Sequence, residues 1–184
     1  PVTLTKNAGK ARTYGIDFDA TYRLRNIEGL ALNLAINWNK AKFVELNGLP
    51  CYGGQTIAAG CNQILVNGLY TGRSESDTPL ERAPEWQVIG GFDYEAPVGE
   101  KLAIVFGSSI QHSSSWTSPI GTRSDFRQPG YTKLNAYITV KDSEDRWELS
   151  LIGNNLNNVI RCGYCTNSDF KNTTVLTALA NTTG

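Results

Sequence analysis

The tightest constraint in this sequence is an alternation of period two, held over segments of about ten residues, the mark of strands with two unlike faces. In residues 14–24 the even positions are Tyr14, Ile16, Phe18, Ala20, Tyr22 and Leu24, and the odd ones are Gly15, Asp17, Asp19, Thr21 and Arg23. The second segment sets Leu30, Leu32, Leu34, Ile36 and Trp38 against Ala31, Asn33, Ala35, Asn37 and Asn39. A third sets Trp86, Val88, Gly90, Phe92 and Tyr94 against Glu85, Gln87, Ile89, Gly91 and Asp93. The fourth carries Leu102, Ile104, Phe106 and Ile110, interrupted by Ser108, over a less polar opposite face. The fifth carries Leu134, Ala136, Ile138 and Val140 opposite Lys133, Asn135, Tyr137 and Thr139. In the sixth the parity reverses: Trp147, Leu149 and Leu151 oppose Glu148 and Ser150, with Ile152 as an exception.

Segments of this length exceed the usual soluble strand of about 5–6 residues and match the roughly 9–11 that a tilted strand needs to cross a bilayer. The connections agree. Short turns near residues 25–29, 96–101 and 142–145 alternate with long connections at 44–81, 117–130 and beyond 155. Outer-membrane barrels have short periplasmic turns and longer extracellular loops. Trp38 and Trp86 fall near the outer ends of their strands, and Tyr22, Tyr94 and Trp147 near the inner ends, where amphipathic rings suit the headgroup level. A Lys or Arg facing lipid at the midplane costs about 2–4 kcal/mol, so Asp17, Asp19 and Arg23 must face inward. The apolar face therefore meets lipid, on even positions in the first five strands and odd positions in the sixth. The fold class expected is all-β: a transmembrane antiparallel up-and-down barrel. A soluble β-sandwich with polar faces in water accounts less well for long strands and the short–long alternation together.

Composition supports this by what it lacks. Charged residues are 18%, below the usual quarter, and the formal net charge is zero. No basic field points to nucleic acid. No apolar run reaches the roughly 18 residues of a membrane-spanning helix. Six strands are fewer than the eight or so of the smallest common barrels, and an open edge in lipid leaves backbone groups unsatisfied. The sequence also contains no Met and shows no signal peptide. It is therefore expected to be part of a longer barrel chain.

Candidate chemistry is sparse. His112 is the single histidine and has no evident base, nucleophile or metal partner, so neither an enzyme, a cofactor nor a metal site is expected. The four cysteines form two close pairs, Cys51 with Cys61 and Cys162 with Cys165, most simply read as local disulfides in an oxidising compartment. The Cys162–Cys165 spacing also fits half a zinc site, but the wide spacing of Cys51 and Cys61 supplies a poor second half. Outer loops on a rigid scaffold are where binding residues collect. Arg73, Glu75, Asp77 and Arg82 cluster at the end of the first long loop, and Trp116, Arg123, Asp125 and Arg127 decorate the second. Arg73, Arg82, Trp116, Arg123 and Arg127 are the ligand-binding candidates, because arginine forks hold anionic chelates or phosphates. The competing readings are a solvated loop, or arginines that engage lipopolysaccharide phosphates.

Four stretches carry a family resemblance. Asn7-Ala8-Gly9-Lys10-Ala11-Arg12, followed by Tyr14-Gly15-Ile16-Asp17-Phe18-Asp19-Ala20, resembles the entry to a late barrel strand of TonB-dependent receptors. Arg82-Ala83-Pro84-Glu85-Trp86-Gln87 resembles the opening of a later strand, and Tyr131-Thr132-Lys133-Leu134-Asn135 the start of the last hairpin before the final strand. Arg146-Trp147-Glu148-Leu149-Ser150-Leu151-Ile152-Gly153-Asn154-Asn155-Leu156 resembles that hairpin's second arm. The resemblance implies a barrel of about 22 strands with a plug in its lumen. Residues 1–184 would then be a C-terminal portion of the barrel, with the plug domain and final strand outside it. It further implies active uptake of a scarce small molecule such as a siderophore, with outer-membrane lipid, lipopolysaccharide and the TonB energy-coupling complex as partners. A passive porin-type channel is the rival with the same sheet physics.

Overall fold

A computed structural model describes residues 9–117 and 127–161. In chain order the strands are β1 (Lys10–Arg23), β2 (Leu30–Glu45), β3 (Leu49–Pro50), β4 (Gln63–Val66), β5 (Leu69–Arg73), β6 (Trp86–Val98), β7 (Leu102–Ser113), β8 (Trp116–Thr117), β9 (Arg127–Gln128), β10 (Tyr131–Asp142) and β11 (Glu148–Gly153). The six long alternating segments form one antiparallel sheet in the order β1-β2-β6-β7-β10-β11. Each is therefore the neighbour of its predecessor among the six, an up-and-down meander. The first long loop adds a small sheet, β3-β5-β4, and the second adds the pair β8-β9.

Register fixes the faces. Ile16 pairs with Trp38, Trp38 with Trp86, Val88 with His112 and Ile110 with Leu134, so even positions stay on one face through five strands. Between β10 and β11, Ile138 pairs with Leu151 and Thr139 with Ser150, which moves the apolar set to odd positions. The reversal expected at the sixth strand is present. Because side chains alternate with period two, a one-residue slip in this ladder would turn a whole strand's apolar set into the lumen.

The even face is an uncovered apolar surface. Ile16 and Tyr22 are 64% and 62% exposed, and on β11 Leu149 and Leu151 exceed 70%. In water this would be a large association patch; against acyl chains it is the solvated face. Aromatic rings border it. Tyr14 packs edge-on against Trp38 with ring centroids 6.0 Å apart, and Trp38 lies 6.2 Å from Trp86, one band running across β1, β2 and β6. Trp38 Nε1 donates to a Glu85 carboxylate oxygen at 3.3 Å, the wet end of an amphipathic ring. Towards the short turns lie Tyr22, Tyr94 and Trp147, with Tyr94 packed 5.3 Å from Phe106. The step from Tyr14 to Tyr22 is about 26 Å along the strand, or about 20 Å after a tilt of roughly 40°. That spacing is close to the apolar belt of about 25 Å that such barrels carry.

Strand ends differ from the sequence expectation in three places. The first hairpin runs past the Trp38 band, to Lys10 opposite Glu45. The first long loop supports this extension: Phe43 N donates to Thr78 O, Asp77 N to Phe43 O and Leu80 N to Ala41 O, so residues 77–80 stand in for a neighbouring strand. Ala41, Phe43 and Leu46 are buried under it. The second difference is Pro97, expected in a turn but placed in β6 opposite Ala103. Glu95 N donates sideways to Gly29 O, so the amide position of Pro97, two residues on, faces the same side beyond the end of β2. No donor is needed there, which is where an edge proline fits. The third is the last turn, which extends to Trp147, because Asp142 N donates to Trp147 O.

Asp142 organises that turn. Its carboxylate accepts from Arg146 Nε at 2.8 Å, Arg146 Nη2 at 3.2 Å and Glu144 N at 3.2 Å. The hydrogen bond from Arg146 holds the Asp142 carboxyl below the usual carboxylate range, despite its burial. A depressed folded-state value means this group adds stability above about pH 4, and the contribution is lost as pH falls through that depressed value. Asp142→Asn is therefore expected to melt below the wild type at pH 7, with the gap narrowing as pH falls below about 4. A gap in thermal melts that stays constant as the solution is acidified below about pH 4 would contradict the assignment.

Candidate functional site

The odd face of the sheet carries a chain of polar side chains bonded across the strands. Thr21 Oγ1 donates to Asn33 Oδ1 at 3.1 Å, and Asn33 Nδ2 donates to Asp93 Oδ2 at 2.7 Å. From the other side the Tyr137 hydroxyl donates to Asp93 Oδ1 at 2.5 Å. Nearer the outer end Asn37 Nδ2 donates to Asp17 Oδ1 at 2.5 Å, and towards β11 Thr139 and Ser150 share a hydroxyl pair at 2.7 Å. Asp93 thus has both oxygens occupied, by β2 on one side and β10 on the other.

Tyr137 reaches Asp93 by crossing β7, and Gly107 makes the crossing possible. Gly107 pairs with Asp93 on one side and Tyr137 on the other. A Cβ at Gly107 would stand 2.6 Å from the Tyr137 ring and 2.7 Å from Asp93 Oδ1. Lys141 makes a similar crossing, bonding Glu95 at 3.1 Å while its cross-strand neighbour Ala103 is buried. A hollow of about 340 Å³ lies along this wall, with Asn33, Ile89, Asp93, Ser109 and Tyr137 among its lining. A larger one of about 1150 Å³ sits at the short-turn end by Arg23, Arg25, Glu28 and Glu95. These groups donate, accept and carry charge, so the wall is able to hold water, a polar ligand or another polar surface.

The outer loops place the sequence-derived candidates in two locations. Arg73, in β5, is only 3% exposed. Its guanidinium pairs with Glu75, donates from Nε to Pro50 O at 3.2 Å and lies 5.8 Å from the Tyr52 ring centre. Arg73 therefore holds the first loop together. Its neighbour in that loop is the Cys51–Cys61 disulfide, with Cα atoms 5.6 Å apart. Arg82, Trp116 and Arg127 come together at the base of the second loop. Arg82 N donates to Thr117 O at 3.2 Å, and Thr117, next to Trp116, pairs with Arg127. Arg82 and Arg127 are exposed and Trp116 is half-buried. Arg123, Cys162 and Cys165 lie outside the described residues. His112 is on the lipid-side face, with Nδ1 2.9 Å from Thr132 Oγ1.

Sequence reasoning placed Asp17 on the inner face but missed the Asn33–Asp93–Tyr137 connection. The available signal was an aromatic residue alone on a polar face, Tyr137, together with a glycine on the matching face of the preceding strand, Gly107.

Comparisons with known proteins agree with this geometry. A family model described as TonB dependent receptor-like, beta-barrel matches residues 1–156. Among solved structures, the ferric yersiniabactin uptake receptor FyuA from Yersinia pestis superposes with a TM-score of 0.62 at 16% identity. That match covers 88% of this chain and 21% of FyuA, and at such identity it shows a shared fold. The chain thus spans about a fifth of the length of that receptor. No curated protein matches the sequence.

Two outcomes test the site as built. Gly107→Ala is expected to destabilise the folded sheet by about 1–3 kcal/mol, since the added methyl overpacks against Tyr137 and Asp93. The unheated folded band on a denaturing gel should be lost at a lower temperature, and Gly107→Ala combined with Tyr137→Ala should recover part of the loss. An unchanged transition in Gly107→Ala would remove the crossing from the account. For the first loop, Cys51→Ser combined with Cys61→Ser removes a restraint typically worth about 2–4 kcal/mol. Limited proteolysis should then cut within residues 51–73 while the barrel band persists; equal resistance in both proteins would show that the loop does not depend on the disulfide.

Proposed function

The chain belongs to the TonB-dependent receptor β-barrel family, and from that premise we propose that it forms part of the wall of an outer-membrane receptor that imports a scarce ligand, energised through TonB. The family match over residues 1–156 carries the proposal. An apolar outer face, a polar inner face and long, internally braced outer loops support it. Both β1 and β11 have a free edge in the described sheet, and lipid does not tolerate unpaired backbone groups. We therefore place residues 1–184 in the C-terminal portion of a larger barrel, of about 22 strands and with a plug domain, that supplies the strands pairing with these two edges. The partners in this reading are outer-membrane lipid, lipopolysaccharide and the TonB complex, which engages the plug.

The ligand class that fits best is an iron chelate such as a siderophore. The support is the fold shared with a ferric yersiniabactin uptake receptor and the exposed arginines Arg82 and Arg127 beside Trp116 at one loop base. Arg123 belongs to the same proposed set by sequence proximity. Arg73 is the weakest member, because its guanidinium is buried against Glu75. The protein acts here as a transporter and not as an enzyme.

A passive porin-type channel shares the sheet and differs in its energy requirement. In iron-starved cells with this receptor as the sole route, uptake of a radiolabelled ferric chelate is expected to stop when the proton gradient is collapsed. Uptake that continues under those conditions, in proportion to external concentration, would establish the passive channel instead.

A further inference from the structure

The first long loop carries a surface that neither the barrel wall nor the transport reading uses. Residues 46–72 contain no Asp, Glu, Lys, Arg or His, the longest uncharged stretch in the sequence. Within it β4 and β5 form a hairpin closed by Asn67-Gly68, both in the left-handed region, a turn whose twist matches that of its strands. Leu65 pairs with Tyr70 and Val66 with Leu69, and successive pairs point to opposite faces. Both faces of the hairpin are therefore apolar. All four side chains are exposed, Leu65 at 62% and Leu69 at 71%. The hairpin belongs to the small sheet β3-β5-β4 of the first long loop and not to the six-stranded wall. An apolar patch of this kind, left in water, is an association surface.

The hairpin is held in shape before anything meets it. The Asn-Gly turn fixes its tip, and the Cys51–Cys61 disulfide closes the segment before it. Arg73, at the end of β5, is anchored to Glu75 and to Pro50 O. A preformed surface associates with little ordering cost. β4 has β5 on one side and no strand on the other among the described residues. Ile64, at a φ of 53°, interrupts the extended backbone of β4, so a long ladder cannot be added along that edge. The contact this surface makes is therefore one of side chains.

The occupant must be apolar and need not carry charge, and a second copy of the same hairpin meets both conditions. Identical charged surfaces repel each other; this one has no charge with which to do so. Copies in one membrane share their orientation and height. A two-fold axis along the membrane normal therefore brings the hairpin of one copy onto the same hairpin of the next, an isologous contact.

We propose that the β4–β5 hairpin is a self-association surface, through which two copies of the receptor meet above the outer membrane. Leu65, Val66, Leu69 and Tyr70 are the contact, with Tyr70 as its aromatic anchor. Two hairpins make an interface of the small, transient class, so confinement to the membrane plane sustains it more than area does.

This contact rests on the outer-membrane placement proposed above and is independent of the transported ligand. The test uses the full-length receptor in native outer membranes, co-expressed as two copies with different epitope tags. A benzophenone-bearing amino acid replaces Leu69, and illumination joins it to whatever lies against it. The expected product is an adduct of two receptor chains carrying both tags. Leu65→Ser combined with Tyr70→Ser in both copies is expected to lower its yield at least about tenfold. The same probe at Gly53, exposed in the disulfide-closed segment with open space around it, should give little of it. Retention of the folded, heat-modifiable band shows that the barrel is intact in each variant.

An equal yield from the Leu65→Ser, Tyr70→Ser variant, or from the probe at Gly53, would overturn the proposal. An adduct with a different protein would overturn the second copy as the occupant. A probe that reacts only within its own chain would do the same, and would show the hairpin covered by another part of the receptor. Recovery of the receptor in the soluble fraction, without detergent, would instead overturn the membrane placement itself. The two failures are therefore distinguishable.

Discussion

Everything in this structure depends on one requirement: in hydrocarbon, each backbone N–H and C=O must find its partner within the sheet. A meander of long antiparallel strands meets that requirement while leaving side chains free to divide between two solvents. The register Ile16–Trp38–Trp86 and its continuation keep even residues together through five strands, and the offset at Thr139–Ser150 reverses parity at the sixth. A sheet with unrelated registers would mix the two sets and place Asp17 or Asp93 in lipid. The alternation, the register and the solvent are one constraint expressed three times.

The same requirement explains the inner face. Polar groups facing the lumen are arranged in bonded chains, Thr21–Asn33–Asp93–Tyr137 and Asp17–Asn37, so they are held in place by one another. Gly107 is the local condition for the longest link, since a side chain there would occupy the space of the Tyr137 ring. Above the membrane the logic changes. With water available, the ladder gives way to loop segments, a small extra sheet, a disulfide and the buried Arg73–Glu75 pair. Those devices supply, for the first loop, the rigidity that the sheet supplies below.

The membrane-spanning part was legible because it follows period two. The six segments, their division into two faces and the parity reversal at Leu149 could be read from polarity alone. The parts that escaped are those fixed by tertiary contacts. β2 runs on to Glu45 because residues 77–80 pair with it, a long-range effect that no local pattern announces. Pro97 reads as a turn residue but sits in a strand, because its neighbour on that side has already ended. Arg73 reads as a ligand-binding candidate and is buried, since Glu75 and Tyr52 are brought to it by the loop's own fold. Arginines in a loop carry the same local signal whether they face a ligand, a lipid or the loop interior. Among the described candidates, Arg82, Trp116 and Arg127 are the ones whose backbone meets at one loop base.

The central claim is that the even face of five strands, and the odd face of the sixth, meets lipid. Single spin labels at successive positions from Ile16 to Tyr22, and from Glu148 to Ile152, measure it directly through their accessibility to oxygen dissolved in the bilayer. High accessibility at residues 16, 18, 20 and 22, and then at 149 and 151, with low values between them, is the predicted result. Uniform accessibility, or a maximum at Asp17, Asp19 or Ser150, would contradict the account.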